Sequence, residues 1–240
     1  MQTISVVIPA YNEQDTLGRC LESLQAQTQK ADEIIVVDNN STDSTVRIAK
    51  QYGATVVSET SQGIMPAVFA GMSASSGDII ARCDADSVLP PNWLESIYTE
   101  FAEHPDAVAI TGPGEFYDTN KFTSWLARGW YMYAYFLLAG SALANWPLFG
   151  SNCALRRRAW LSMQGELHRE MSDIHDDMDI SIHIPANQKI LFRPKLIVGI
   201  SARSLRLGGM KTRYQRGLRT FTIHWPEQSP WRRWRTRWFE

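Results

Sequence analysis

Two carboxylates two positions apart, Asp84 and Asp86, could together hold a hard divalent cation. They follow an apolar run at residues 79–81 and precede Pro90 and Pro91, so they lie in a turn at the end of a predicted strand. Mg²⁺ and Mn²⁺ prefer oxygen ligands and usually keep positions open for substrate phosphates. Because Asp is also common in solvated turns, the pair alone leaves both interpretations open.

The elements around this pair follow from the pattern of apolar residues. Short apolar runs predict buried strands, and helical spacing predicts the helices between them. The predicted strands are residues 4–8, 33–37, 55–57, 78–82, 108–111, 190–192 and 196–200. The predicted helices are residues 16–27, 44–52, 66–73 and 92–103, with another ending near Met163. Alternating strands and helices predict an α/β fold with a mostly parallel sheet and right-handed crossovers.

Three polar turns follow predicted strands, at residues 9–13, 38–43 and 84–87. In a parallel α/β sheet, ligands bind beyond the carboxyl ends of the strands. We therefore expect the three turns to meet in one crevice. This convergence favours a binding site over three unrelated solvated turns.

The amino-acid composition indicates which class of protein the chain belongs to. The 240 residues are 44% apolar and 20% charged, which is ordinary for a globular chain of one large domain. Residues 203–240 carry a net charge of +8 and residues 1–202 carry −9, so the basic segment suggests an anionic partner. Three cysteines without metal-binding spacing suit a reducing compartment. The first apolar run, interrupted by Pro9, is predicted to be a strand and not a signal peptide.

Four segments occur in the order typical of family 2 glycosyltransferases, which the sequence resembles over roughly residues 3–200. These are residues 6–13 (VVIPAYNE), 36–43 (VVDNNSTD), 84–86 (DAD) and 176–179 (DDMD). The resemblance implies the GT-A fold, a mostly parallel Rossmann-like sheet flanked by helices. It also implies an inverting enzyme that moves a sugar from a nucleotide-sugar donor, most commonly linked to UDP, to a hydroxyl acceptor.

The resemblance also implies a nucleoside site at the first turns. Pro9, Tyr11 and Glu13 would contact the nucleoside. Asp38, which closes the second strand, would read the base, and Asp84 would contact the ribose. An Asx turn is the alternative role for Asp38.

In the same resemblance, Asp86 binds Mg²⁺ or Mn²⁺ and Asp177 is the general base. The metal stabilises the departing diphosphate as a Lewis acid, and the base takes the proton of the attacking hydroxyl. Asp176 replaces the usual Glu of the last motif, and Asp173 or Asp179 is the alternative base. Asp179 is otherwise expected to pair with a core arginine. Some relatives place a metal-binding His after the last strand, but this chain has none there.

Several residues outside these motifs admit two interpretations. Gly150, Ser151 and Asn152 resemble the family's acceptor loop and equally suit a backbone turn. The basic triplet at residues 156–158 is typical of a solvated face, with a phosphate contact as the alternative. Four histidines are expected to be structural, and the one beside the predicted base merits a test. They are His168, His175, His183 and His224.

Residues 129–155 contain no charged side chain and are rich in aromatic residues. A membrane-spanning helix needs about twenty apolar residues, but Gly140, Asn145 and Pro147 interrupt this stretch. A buried or interfacial helix that lines the acceptor site is therefore favoured over a span, and nearby aromatic rings suit a lipid headgroup boundary. These rings belong to Trp125, Trp130, Tyr131, Tyr133 and Tyr135.

Arginine and tryptophan alternate in residues 231–238 (WRRWRTRW). Such a segment can contact an anionic membrane through charge and interfacial rings, and a solvated, frayed terminus is the alternative. No recognition motif supports nucleic acid as a partner. We expect a cytoplasmic protein with peripheral contact at the inner face of the cell membrane. Its acceptor would be a saccharide or a lipid-linked hydroxyl compound.

The predicted organisation is a GT-A domain at residues 1–202 and a basic aromatic extension at residues 203–240. Residues 1–112 would bind the nucleotide sugar and residues 113–202 the acceptor. Two other functions stay open. A nucleotidyltransferase also uses paired aspartates and Mg²⁺, although residues 9–13 lack the Gly-rich basic loop that holds a triphosphate. A catalytically silent nucleotide-sugar-binding module is the second.

Overall fold

Nine strands and nine helices are found in the part of the chain that the computed structural model describes, residues 2–120, 129, 132–205 and 207–239. The strands are β1 (Ile4–Ala10), β2 (Glu33–Asp38), β3 (Thr55–Ser58), β4 (Ile79–Arg82), β5 (Ala107–Thr111), β6 (Gly114–Phe116), β7 (Cys153–Arg156), β8 (Lys189–Phe192) and β9 (Val198–Ile200). The helices are α1 (Leu17–Gln25), α2 (Thr45–Gln51), α3 (Ile64–Ala74), α4 (Trp93–Glu103), α5 (Tyr133–Leu143), α6 (Arg157–Met163), α7 (Asp176–His183), α8 (Leu207–Ile223) and α9 (Pro230–Phe239).

The central sheet has seven strands in the order β3-β2-β1-β4-β7-β5-β8. Strands β3, β2, β1 and β4 are parallel to one another, and β5 is parallel to β8. The predicted α/β fold with a mostly parallel, Rossmann-like sheet is therefore confirmed. Strand β7 is the exception, because it runs antiparallel to both β4 and β5. The sequence did not predict β7, because its four residues, three from the end of the uncharged stretch and Arg156, carry no strand signal of their own.

Both faces of the sheet are covered, which explains why the strands are continuously apolar. Successive side chains of a strand point to opposite faces, so Val6 and Ile8 of β1 pack with α1 and α4, and Val7 packs with α3. Trp93 of α4 and Trp160 of α6 are fully buried, one on each side. The result is a helix–sheet–helix sandwich whose loops at the carboxyl ends of β1, β2 and β4 lie at one edge.

A small second sheet stands beside that edge. Strands β6 and β9 pair in parallel, and Val88, just after the Asp84–Asp86 turn, forms a bridge with Gly199 of β9. A 3₁₀ turn at Ala202–Leu205 follows β9 directly. This arrangement brings the beginning of the basic segment next to the predicted carboxylates.

The basic segment ends in helix α9, which packs against the body of the protein. The side chain of Arg233 is buried and donates hydrogen bonds to the carbonyl oxygens of Leu143 (2.6 Å), Ile182 (2.6 Å) and Ile184 (3.0 Å). A frayed terminus therefore does not describe residues 230–239. Nor is Arg233 available to a membrane or to another anionic partner.

No helix in the described ranges is long and apolar enough to cross a membrane. Helix α5 accounts for the central part of the uncharged stretch and has only eleven residues. Trp125, Trp130 and Tyr131, three of the aromatic side chains assigned to a headgroup boundary, lie outside the described residues.

Candidate active site

Turns that follow β1 and β4 line one cavity of about 340 Å³. Five of the residues predicted to form the site lie in its wall. They are Pro9, Tyr11, Glu13, Asp84 and Asp86. The carboxyl ends of β1 and β4 thus meet as expected, and we call this space the outer cavity.

Asp38 is placed differently from the other predicted residues. It is half-buried and is not part of the outer cavity's wall, and its Oδ1 accepts a hydrogen bond from the backbone N–H of Ser41 (3.0 Å). The neighbouring Asn39 lines the cavity instead, held by donating to the carbonyl oxygens of Glu59 (2.9 Å) and Ser61 (2.7 Å). Sequence reasoning missed Asn39, although the alternation of side chains along a strand end separates it from Asp38.

A second cavity of about 220 Å³, the inner cavity, adjoins the first. The two share Ile64, Asp84 and Asp86, so together they form one crevice. The inner cavity adds residues from the β7 side of the sheet and from α7 and α8. Among them are Gly150, Ser151, His175, Asp176, Asp177, Arg213 and Arg216.

Arg82 lies beneath the crevice as a buried cation. Its guanidinium forms an ion pair with Asp176 and lies 3.5 Å from Asp84 Oδ1. Burial alone would lower the pKa of Arg82, but the carboxylates of Asp176 and Asp84 raise it above the ordinary value. Arg82 therefore stays charged and anchors two of the four carboxylates of the inner cavity.

Asp84 has two different oxygens. Its Oδ2 accepts a hydrogen bond from the hydroxyl of Ser151. Its Oδ1 is a buried oxygen without a hydrogen-bond partner among the described residues. Burial raises the pKa of Asp84, and the opposing effect of Arg82 is smaller. An oxygen in this state is suited to a ligand's hydroxyl or to a cation.

Asp177, at the start of α7, faces the inner cavity. Its Oδ2 accepts a hydrogen bond from the backbone N–H of Gly150 (3.1 Å), and its Oδ1 lies 3.8 Å from Nδ1 of His175. Burial and the adjacent Asp176 raise the pKa of Asp177. Gly150 packs directly on the guanidinium of Arg82, and an added Cβ would lie only 2.8 Å from Nη2. The lack of a side chain therefore lets its N–H reach Asp177 from this position.

The three alternative bases are now separated by their positions. Asp177 lines the crevice. Asp173 is exposed and pairs with Arg219 (3.3 Å). Asp179 is fully buried, and the expectation that it pairs with a core arginine is wrong, because histidines surround it. The core arginine pairs instead with Asp176.

The basic segment contributes to the crevice, which sequence reasoning missed. Nη2 of Arg203 donates to both carboxylate oxygens of Glu13 (3.0 Å each) and to Oδ2 of Asp86 (2.8 Å). Arg213 and Arg216 of α8 line the inner cavity. Part of the anionic partner expected for this segment is therefore the acidic body of the same chain. The charge asymmetry was the signal, but it could not say which arginines turn inward.

The predictions for the basic triplet at residues 156–158 are wrong for its first residue, Arg156. Arg156 is buried and donates to the carbonyl oxygens of Ala107 (2.8 Å) and Phe101 (2.9 Å). It therefore belongs neither to a solvated face nor to a phosphate site. Arg158, on the other hand, is exposed.

Comparison with known proteins places this crevice in context. The sequence profile described as glycosyl transferase family 2 matches residues 5–163. The putative glycosyltransferase EpsH of Bacillus subtilis is 31% identical over 123 residues, which is 49% of this chain and 36% of EpsH. Glycosyltransferase AglE of Haloferax volcanii is 36% identical over 100 residues, 38% of this chain and 33% of AglE. The matched segments thus span about a third of these relatives.

Solved structures with the same fold cover more of the chain. The mannosyltransferase PcManGT from Pyrobaculum calidifontis, in complex with GDP-Man and Mn²⁺, has a TM-score of 0.73 at 18% identity and covers 92% of this chain and 64% of its own. Glucosyl-3-phosphoglycerate synthase from Mycobacterium tuberculosis, in complex with Mn²⁺, UDP and glucosyl-3-phosphoglycerate, has a TM-score of 0.66 at 22% identity. That structure covers 92% of this chain and 79% of its own. These likenesses establish the GT-A fold.

Proposed function

Because the chain belongs to glycosyl transferase family 2, we propose that it moves a sugar from a nucleoside diphosphate sugar to a hydroxyl acceptor in a single, inverting displacement. The observation that carries the proposal is the meeting of Glu13, Asp84, Asp86 and Asp177 in one crevice. The outer cavity receives the nucleoside, the shared carboxylates receive the diphosphate, and the inner cavity receives the sugar and the acceptor.

In this proposal Pro9, Tyr11 and Glu13 contact the nucleoside in the outer cavity. Asp84, whose Oδ1 lies 3.5 Å from Arg82 and makes no hydrogen bond with another described residue, holds the ribose. Asp38, which lies just outside the wall of the outer cavity, is proposed to read the base. Its neighbour Asn39, which lies in that wall, joins it in this role. UDP is the first donor nucleotide to test, since it is bound in the M. tuberculosis neighbour, and GDP is the second, since it occurs in the P. calidifontis neighbour.

The carboxylates fit a divalent ion. Mg²⁺ and Mn²⁺ sites often need only one or two carboxylates, because substrate phosphates complete the coordination. Asp86, whose carboxylate lies in the wall of both cavities, would hold the ion. When bound, the ion supplies positive charge to the diphosphate as it leaves. Arg203, which lies on Asp86, would add to that charge from the protein itself.

Asp177 acts as the general base in this scheme. Its raised pKa makes it a better proton acceptor than an ordinary Asp, because a base is most effective when its pKa approaches the working pH. The N–H of Gly150 and the ring of His175 orient the carboxylate. The acceptor hydroxyl gives its proton to Asp177 while its oxygen attacks the anomeric carbon from the face opposite the diphosphate.

The test is product analysis with the purified full chain. UDP-, GDP- and dTDP-sugars are supplied with simple saccharide acceptors, with and without Mn²⁺, and NMR reports the anomeric configuration of the product. Transfer with inverted configuration supports the proposal, and retained configuration contradicts the single displacement. Pyrophosphate release from nucleoside triphosphates would identify a nucleotidyltransferase instead. Donor binding without turnover would identify a silent binding module.

We further propose that the acceptor is presented at an anionic membrane surface. Leu137 and Leu138 of α5 are 64% and 73% exposed, and Trp238 and Phe239 of α9 are 71% and 83% exposed. The indole N–H of Trp234 donates to Ser141 (2.8 Å), so the two helices lie side by side. Arg232 and Arg235 are exposed on α9. Apolar and aromatic side chains mixed with arginine match a headgroup layer with anionic lipid.

Vesicle flotation tests this part of the proposal separately. The full chain should float with vesicles that contain phosphatidylglycerol and much less with pure phosphatidylcholine, and high salt should weaken the binding. The variant Leu138→Ser with Trp238→Ala should lose binding, whereas Leu161→Ser, an exposed leucine on α6, should not. Equal flotation of both variants, or none by the wild type, would overturn the membrane proposal and leave the transfer reaction untouched.

A further inference from the structure

Three histidines and one aspartate meet on the side of α7 that faces away from the crevice. This histidine cluster consists of His168, Asp179, His183 and His224. The residues come from three segments: the loop before α7, helix α7 itself, and the residue after α8. One nitrogen or oxygen of each side chain lies within 4.8 Å of the others. The proposed transfer reaction uses none of them.

Distances around Asp179 fit a shared cation. Its Oδ1 lies 2.9 Å from Nδ1 of His168 and 3.1 Å from Nε2 of His224. Zinc binds imidazole nitrogen and carboxylate oxygen at about 2.0–2.1 Å, so neighbouring ligand atoms of a tetrahedral site lie about 3.3 Å apart. The two distances from Oδ1 of Asp179 are close to this spacing.

Two of the rings are oriented as metal ligands usually are. Nδ1 of His183 contacts the carbonyl oxygen of Asp179 (2.8 Å), and Nδ1 of His224 contacts that of Thr220 (2.6 Å). A carbonyl oxygen can only accept, so each Nδ1 carries a proton and each Nε2 keeps its lone pair when the ring is neutral. Backbone carbonyls commonly fix ligating histidines in this way.

His224 supplies the observation that hydrogen bonding does not explain. It is buried, at 7% exposure, and its Nε2 has no hydrogen-bond partner among the described residues. It nevertheless lies next to the carboxylate of Asp179, which is fully buried. A divalent ion held between the imidazole nitrogen and the carboxylate oxygen would provide a partner for both atoms. The three imidazoles are also packed against one another, with ring centroids 4.9–5.6 Å apart, so their nitrogens converge on one small volume beside the carboxylate.

We propose that the histidine cluster is a structural zinc site, separate from the crevice. Three imidazoles and one carboxylate complete a four-coordinate shell, which is the arrangement of structural zinc and leaves no position for substrate. Mg²⁺ and Mn²⁺ favour oxygen ligands and belong with the crevice carboxylates. His168 is partly exposed and provides an entry path for the ion.

Zinc at this place would fix α7 in position. It would join the helix, through Asp179 and His183, to the end of α8 and to the loop that carries His168. Asp177 stands on the first turn of the same helix and faces the opposite side. A ligand that binds the native state and not the unfolded chain raises stability, so the role of the zinc is to hold the helix that carries the proposed base.

Metal analysis of the untagged full chain tests the proposal. After dialysis against metal-free buffer, elemental analysis should find about one zinc per chain, and Asp86→Asn should retain it. His168→Gln and His224→Ala should bind zinc at least about a hundredfold more weakly, because even loss of an outer partner costs about 10–100-fold. His104→Gln is the matched control, since that partly exposed histidine follows α4 directly and stands beside Glu100 and Glu103, far from the cluster in sequence.

A second readout covers the case in which a variant folds poorly. Wild-type protein stripped with chelator and loaded with Co²⁺ should show the visible absorption of four-coordinate cobalt, and Zn²⁺ should displace it. Zinc, but not Mn²⁺, should raise the melting temperature of both the wild type and Asp86→Asn. Absence of zinc from the wild type with no thermal effect, or full zinc retention in His168→Gln, would overturn the proposal and show that the cluster is held by hydrogen bonds alone.

Discussion

Helix α7 presents the same residue type to two different environments. On one face, Asp176 and Asp177 lie at the crevice, beside a buried arginine and an open cavity. On the other face, Asp179 is enclosed by histidines without access to the crevice. Asp176, Asp177 and Asp179 nevertheless lie within four consecutive residues, about one turn of the helix. Their difference shows that the partner of each carboxylate, and not its place in the motif, decides what it can do.

Protonation behaviour follows the same division. Burial and Asp176 raise the pKa of Asp177, which suits a group that must accept a proton. Burial alone would raise the pKa of Asp179 too, but the adjacent ring of His224 and the backbone N–H of His168 lower it. A permanently ionised carboxylate is the form that coordinates a metal.

The largest effect is expected for Asp177→Asn. Removing the proposed base should lower the rate of sugar transfer by about 10²–10⁴-fold, while affinity for the nucleoside diphosphate changes little. Transfer assays and nucleotide titrations measure the two quantities. Asp173→Asn is the control, because Asp173 is exposed and outside the crevice. If Asp173→Asn lost transfer activity and Asp177→Asn did not, Asp173 and not Asp177 would be the base.

Asp176→Asn should act on stability more than on chemistry. It leaves the buried guanidinium of Arg82 without its main counter-charge, and breaking a buried ion pair costs about 3–5 kcal/mol. The free energy of unfolding from urea titration measures the loss. A change within about 0.5 kcal/mol, the range of ordinary surface substitutions, would mean that Asp84 alone compensates Arg82.

Arg233→Leu tests the C-terminal end of α7, against which Arg233 of α9 packs. The substitution leaves the carbonyl oxygens of Leu143, Ile182 and Ile184 without their donor, and a buried acceptor that loses its partner costs about 1–3 kcal/mol. We expect a total loss of about 3 kcal/mol by chemical denaturation. Arg232→Leu, exposed on the same helix, should change stability by less than about 0.5 kcal/mol. Equal effects would show that α9 docks without help from its buried arginine.

Gly150→Ala should give the smallest change, about 1 kcal/mol, because the loop can move away from the guanidinium that an added Cβ would meet. That movement should also lengthen the hydrogen bond to Asp177 and lower transfer by about tenfold, the equivalent of about 1.4 kcal/mol. Gly165→Ala is the control, since nothing lies within 4 Å of its added Cβ. Unchanged transfer in the first variant would remove Gly150 from the positioning of the base.

The sequence predicted best what depends on local periodicity. Strands β1, β2 and β4 are continuous apolar runs, and a parallel sheet forces the turns after them to one edge. The meeting of Glu13, Asp84 and Asp86 follows from those two facts. The antiparallel β7 was missed because a four-residue strand of three apolar residues and an arginine carries no directional signal.

What the sequence could not predict depends on pairing between distant segments. Arg156 and Arg233 occur in basic stretches of the kind that usually face solvent, yet both side chains are buried against backbone carbonyls. Arg203 reaches Glu13 across 190 positions. The histidine cluster joins residues 168 to 224, and no motif spacing links them. Such contacts are set by how α7, α8 and α9 pack on the sheet.

Thermal shift with added nucleotides directly tests whether the crevice is a metal-assisted donor site. UDP, GDP and dTDP are each added to the full chain with and without Mn²⁺. We predict that at least one of them stabilises the protein in a Mn²⁺-dependent way, by about 2.7 kcal/mol at a hundredfold excess over its dissociation constant. The effect should persist in Asp177→Asn and disappear in Asp86→Asn. Stabilisation that ignores Mn²⁺ and survives in Asp86→Asn, or no stabilisation by any of the three, would contradict a metal-assisted donor site in this crevice.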